Sequence, residues 1–366
     1  MTAPSLPKRS LALDAMRGWI MVLLALEATG LYEHLATAGS GTFMAAPLEQ
    51  LFHHPWNGLR FWDLIQPAFM FMSGTALAYS LHTQKQKGMS WGDSFKKVLK
   101  RSGWLFFWGV LDYAVRKTGL SFELWDVLTQ LSFTTLVAFL IFEFSIVNQI
   151  LVSIGLLLLT EALYRFTNIP GFDQPFTDQH NFGNYMDWIL MRKINQGGWV
   201  AINCIPTAVH TIAGAVCGKL LLQDESKALK QFAIAGIVCL IVGFSLDWAH
   251  ITPIIKRIAT SSFTVASLGW CLLIMVFFYW WIDIKGHNKY LLFVQVVGMN
   301  SLFIYLFFEI VGHRWFTGYV SFIGTELLSY IHIPQLLAAI LASLLVFALE
   351  WGMLYFLYQK RIFFRV

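Results

Sequence analysis

The chain has 366 residues, of which 57% are hydrophobic and 13% charged, and its net charge is +5. Soluble domains carry roughly 25% charged residues, so about half of the usual polar surface is missing. That balance excludes a single water-soluble core. Because the cations sit between apolar runs, it also excludes a nucleic-acid-binding surface.

The N-terminus, MTAPSLPKRSLALDAMRG, shows no cleavable signal pattern and leads into an apolar run, which reads as a retained anchor. A membrane helix needs about 20 mostly apolar residues. In chain order, ten segments meet that need: 11–33, 61–81, 101–118, 127–145, 147–165, 201–222, 231–249, 263–283, 291–312 and 335–358. Residues 1–366 therefore read as one domain, an all-α polytopic integral membrane helix bundle of about ten transmembrane helices. With the N-terminus inside, 17 of the 26 Lys and Arg residues fall on the inner side, including the tail QKRIFFRV. The positive-inside rule then places both termini in the cytoplasm. Two outer loops are substantial, about 34–60 and about 166–200. Cys204, Cys217, Cys239 and Cys271 show neither metal spacing nor a disulfide framework, and no metal is expected.

Polar residues within these apolar segments carry the functional signal. Arg9, Asp14 and Arg17 lie where the first segment begins, and Asp14 and Arg17 share a helix face. They serve either as a membrane anchor or as a site for an anionic group such as nucleotide phosphates. Glu27 sits roughly 24 Å along that segment, near the outer side. The stretch FHHPWNGLRFWDLIQPAFMFMSG, residues 52–74, is the most informative. Pro55 and Asn57-Gly58 force a turn, and Asn57 is expected to cap a helix starting near Leu59. That helix end would favour developing negative charge beside His53. A histidine there fits acyl transfer. It fits equally an interfacial histidine next to Trp56 and Trp62, and His54 competes with His53. Asp63, about six residues into the expected helix, would orient an imidazole or pair with Arg60. Further along, Gln130 lacks an obvious partner. Lys256, Arg257, Thr260, Ser261 and Ser262 form a polar segment suited to an acidic or hydroxyl-rich substrate. Asn300, Ser301, Tyr305 and Glu309 share one late helix.

Taken together, RSLALDAMRG, HHPWNGLRFWDLIQPAFMFMSG, WDVLTQL, TSSFTVASLGWCLLIMVFFYWWID, GMNSLFIY and YQKRIFFRV resemble the heparan-alpha-glucosaminide N-acetyltransferase family of transmembrane acetyltransferases, in the family's order. The chain resembles a minimal bacterial-type member without the lumenal N-terminal region of lysosomal members, which implies a bacterial inner membrane. The resemblance implies transfer of acetyl from cytoplasmic acetyl-CoA, a co-substrate, to an amino sugar or glycan on the far side, and a homodimer. It implies that the catalytic histidine, three residues before the motif tryptophan, is His53. The family's asparagine late in the first helix falls at Glu27, a change from amide to acid. The first motif also resembles acyltransferase-3 proteins, for whose histidine His34 is the candidate.

The expected machinery is thus His53, Asp63, Asn57 and Glu27 for chemistry. Arg9, Arg17, Asn300 and Ser301 would hold acetyl-CoA, and Trp56, Lys256 and Glu309 the acceptor. Partners are acetyl-CoA, the sugar or glycan and the lipid bilayer, with no nucleic acid. The contrasting class is a transporter or flippase of a sugar-containing solute, against which the lack of inverted repeats counts. A silent membrane scaffold is the third.

Overall fold

The computed structural model describes residues 10–115, 120–289 and 291–364. The elements run α1 (Leu11–Ala28), α2 (Leu31–Gly39) and α3 (Ala45–Glu49), then a 3-10 turn (Phe61–Leu64). There follow α4 (Ile65–Gln86), α5 (Trp91–Ala114), α6 (Val127–Leu140), α7 (Ile146–Phe166), α8 (Phe182–Met191), a 3-10 turn (Ala201–Asn203), α9 (Cys204–Gln223), α10 (Glu225–Trp248) and α11 (Ser261–Phe278). A π-helical turn (Tyr279–Ile284) precedes α12 (Leu291–Met299) and α13 (Ser301–Leu306). A second π-helical stretch (Phe307–Phe316) leads to α14 (Thr317–Ser329) and α15 (Gln335–Gln359). Among the described residues there is no strand; one isolated bridge pairs Asn57 with Ile255.

The fold is all-helical, as expected, but the span count differs. Among the described residues, six helical segments are long and apolar enough to cross a membrane, or up to seven if one bent pair forms a single span. The remaining expected spans fall short for local reasons. α6 has 14 residues. α1 carries Asp14, Arg17 and Glu27 within 18 residues, and α5 opens on a charged first half. The segment expected at 11–33 is interrupted at Thr29-Gly30, where Gly30 takes a left-handed conformation (φ 78°) that a side chain would disfavour. The segment expected at 291–312 breaks at Asn300 and continues to Ser329 with a 72° bend.

The helices fall into two compact units. The first contains residues 54–59 and 63–277, that is α4 to α11. Its centre is the α4–α9 pair. A Cβ on Gly74 would overlap the carbonyl of Thr211, and one on Gly214 the carbonyl of Phe71. Small residues thus let the two backbones touch, which is how helices associate where lipid supplies no hydrophobic drive. α4 is accordingly mostly enclosed, 72% of its apolar window being buried, against 11% for α7, whose Val147, Ile150, Leu151, Ile154 and Leu158 face outward. An uncovered apolar face of that size belongs against lipid.

The second unit contains residues 10–53, 60–62 and 278–364. Here α1 packs on α12, with Gly18 against the Val294 carbonyl. Ser10 and the Ala12 N–H both donate to Asp283, which ties the start of α1 to the π-helical turn. Ser343 of α15 donates to the Thr29 carbonyl at the α1 break and lies 3.1 Å from His34 Nδ1. Those side chains occupy backbone groups that the break exposes.

Candidate active site

The residues of the Phe52–Gly74 segment that belong to the first unit converge on Asp63. Asp63 is 1% exposed and lies in the 3-10 turn before α4. Its Oδ2 accepts the backbone N–H of His54 at 3.2 Å, and its Oδ1 is 3.8 Å from the Lys256 ammonium. Lys256 is itself buried, at 6% exposed, and its Nζ stands 5.2 Å from the centroid of the Trp199 ring. A carboxylate so enclosed requires a charge partner and hydrogen bonds. Lys256 and the His54 peptide supply them, and the aromatic face gives the ammonium a further attraction.

The expected cap at Asn57 is not what forms. α4 starts at Ile65, its N-cap position is Leu64, and no side chain caps it. Asn57 instead pairs in extended backbone with Ile255, and the neighbouring Gly58 N–H donates to the Ile254 carbonyl at 2.8 Å. The reason is tertiary. The loop before Lys256 offers backbone partners that hold residues 57–58 extended, so the helix starts about six residues later than local signals indicate. Asp63 is consequently before the α-helix rather than six residues inside it. Gly58 is required here: its φ is 143°, and a Cβ would strike the His54 ring.

Trp56 donates its indole N–H to the Phe176 carbonyl at 2.8 Å and packs against Gly198. It joins a buried cluster with Tyr164, Phe182, Val200, Ile255 and Ile258, so it is a loop anchor rather than part of a lipid-facing belt. Arg257 donates to the Gly197 carbonyl, and Asn203 donates back to the Arg257 carbonyl. Asp187 holds this loop region from below. Its carboxylate accepts from Trp125 Nε1 at 2.8 Å and from the Ala201 N–H at 2.9 Å. Burial pushes the Asp187 carboxyl up to about 7, against the pull of those two donors.

Several buried polar atoms around this loop region have no hydrogen-bond partner among the described residues: His54 Nδ1, Asp178 Oδ1, Asn184 Nδ2, Asn203 Oδ1, Arg257 Nε and Tyr164 OH. Native proteins leave few such atoms.

Several other residues singled out in the sequence belong to the second unit. The His53 carbonyl accepts from Arg60 Nη1 at 3.0 Å, and Arg60 also pairs with Glu49. Glu27 is in the last turn of α1, Arg17 in its second turn, and Glu309 in the π-helical stretch Phe307–Phe316. Asn300 is 1% exposed; its Nδ2 donates to the Ile362 carbonyl at 3.0 Å and its Oδ1 accepts the Phe364 N–H at 2.9 Å. That amide secures the C-terminal tail and ends α12, with Ser301 opening the next helix. Arg9 lies outside the described residues.

The sequence reading did not single out Trp199 or Asp187. Their signals were weak: Gly197-Gly198-Trp199 marks a tight turn, and Asp187 follows the Asn181–Asn184 capping box, but neither reveals a partner. Gln130 does find one. Its Oε1 accepts from Gln66 Nε2 at 2.7 Å, while its own amide N–H reaches the Trp125 carbonyl.

No known protein-family model and no curated protein matches this chain. The fold and its uncovered apolar helices define a membrane protein with an all-helical architecture.

Proposed function

We propose that the chain is a membrane acetyltransferase that moves acetyl from cytoplasmic acetyl-CoA to an amino sugar or glycan on the opposite side, in a bacterial inner membrane. In this reading ten segments cross or enter the bilayer and both termini are cytoplasmic. The observation that carries it is Asp63: a buried carboxylate that holds both the His54 peptide and Lys256. Such an arrangement ties down the backbone directly following His53 and sets a cation beside the Trp199 ring.

The acceptor amine attacks the thioester carbonyl, giving a tetrahedral oxyanion. His53 takes the ammonium proton, the C–S bond breaks, and coenzyme A leaves as a thiolate that is then protonated. Lys256, Trp56 and Trp199 bind the acceptor, the tryptophans against the sugar face. Glu27 and Glu309 are further acids proposed for the acceptor side. Arg9 and Arg17 receive the donor phosphates, and Asn300 and Ser301 are assigned to the same donor.

The test is labelled acetyl-CoA supplied to the cytoplasmic face of vesicles that contain the protein and a glucosamine-bearing acceptor. Acetyl must appear on the acceptor amine, and His53→Ala must cut the rate by about 10²–10⁴ with the protein still inserted and folded. Wild-type turnover in that variant would remove His53 from its role. Movement of unmodified solute without acetylation would replace the enzyme reading with the transporter one.

A further inference from the structure

A cavity of about 290 Å³ opens in the first unit between α5, α6, α8 and the start of α9. Its outer wall includes Phe106, Phe133 and Leu190, which are 41%, 42% and 48% exposed on an apolar surface. Its inner wall includes Gln130, Ala201 and Cys204. The volume lies just below the ~300–1,000 Å³ of sites that enclose whole small molecules. It suits a segment of one hydrocarbon chain.

The inner wall makes no demand for water. The Gln130 amide is engaged by Gln66 and by the Trp125 carbonyl. A hydrated ligand would gain little from such walls, whereas a lipid chain can enter sideways from the bilayer. Its wall is linked through neighbouring residues to the Asp63–Lys256 region. Gln66 follows Asp63 by three residues, one helical turn. The turn that supplies Ala201 and Cys204 also carries Asn203, which donates to the Arg257 carbonyl, and follows Trp199, which faces Lys256. A chain lodged here would hold its headgroup beside that ion pair.

We infer that the acceptor amino sugar is lipid-linked and that its chain occupies this cavity. The inference rests on the acetyltransferase reading, which leaves the acceptor's carrier open. It makes Phe133 and Leu136 specificity-determining residues for that reaction, through the tail rather than the sugar.

The test uses the full-length protein in vesicles and a synthetic glucosaminyl phospholipid with a diazirine in its chain. Light should label peptides that line the cavity, from α6 and the 201–204 turn. Leu136→Trp, which fills the cavity, and Phe133→Trp, at the exposed rim where folding is least at risk, should each cut that labelling about tenfold. They should raise KM for the lipid-linked amine by a similar factor while leaving free glucosamine unaffected, the loss expected when a few methylenes are expelled. Labelling spread evenly over α7 and α10, unchanged by either variant, would overturn the inference, as would faster acetylation of free glucosamine than of the lipid-linked sugar. If neither amine is acetylated, the acetyltransferase reading fails, and selective labelling blocked by both variants still decides whether the cavity takes a lipid chain.

Discussion

The two units differ in how their helices run past polar groups. In the α4–α11 unit the helices are unbroken, the α4–α9 seam is closed by small residues, and buried polar groups such as Asp112, Gln130 and His210 are carried within intact helices, while Asp63 and Lys256 pair before α4 and α11. In the other unit, the helices themselves are interrupted. α1 stops at Thr29-Gly30, Asn300 breaks α12 from α13, and two π-helical stretches interrupt the ladder. Glu350 sits 1% exposed inside α15, with no hydrogen bond to either carboxylate oxygen. The first arrangement keeps the backbone ladder intact around its buried polar groups. The second keeps weakly satisfied groups at membrane depth, where irregular backbone is tolerated only when it is buried in protein or lines a cavity.

The sharpest way to break this comparison is at the buried ion pair. Lys256→Met should destabilise the first unit by about 3–5 kcal/mol, because it strands the Asp63 charge. Asp63→Asn in the same chain should recover much of that loss. Thermal unfolding of the purified single and double variants in detergent measures both. Equal stability of all three proteins would show that the pair does not organise the loops.

Asp187 predicts a pH dependence in the same region. Its carboxyl is raised from the ordinary 3.8 to about 7, so the folded state keeps a proton that the unfolded chain releases. Stability from this group is complete below about pH 4, falls as pH rises, and is lost above about 7, a span on the order of 4 kcal/mol. Asp187→Asn should flatten the unfolding-versus-pH curve between those limits. A slope of the opposite sign, or one that survives the substitution, would show that Asp187 is not the group responsible.

Smaller effects should separate the helix seams. Gly214→Ala pushes a methyl into the Phe71 carbonyl and should cost about 1–3 kcal/mol. Gly155→Ala on α7 meets nothing within 4 Å and should stabilise by up to ~1 kcal/mol. In the second unit, Asn300→Leu frees the Ile362 carbonyl and the Phe364 N–H, at a cost of about 1–3 kcal/mol. Faster proteolysis of the C-terminal tail should report it.

Much of the helix inventory was legible because a long apolar run has few alternatives. The 146–166 and 335–359 helices match their expected bounds to within a residue. Breaks inside runs were less legible. Asn300 reads as a polar residue in a helix until its amide is seen bonded to the tail 62 and 64 residues away. At the candidate site, Asp63 stood out because a carboxylate among apolar residues demands a partner. Lys256 stood out separately, but nothing in the 192 residues between them states that they meet. Asn57-Gly58 read as a turn and a helix cap, but Ile254 and Ile255 take its backbone groups and no cap forms.

Composition and apolar periodicity determined, without coordinates, that this chain is helical and belongs in a membrane: 57% hydrophobic residues in runs of helix length leave no other stable arrangement. Only the tertiary structure decided which polar residues meet. A buried charge constrains its environment to supply an opposite charge and hydrogen bonds, but not from where along the chain. That choice follows from which loops the packed helices bring to one end.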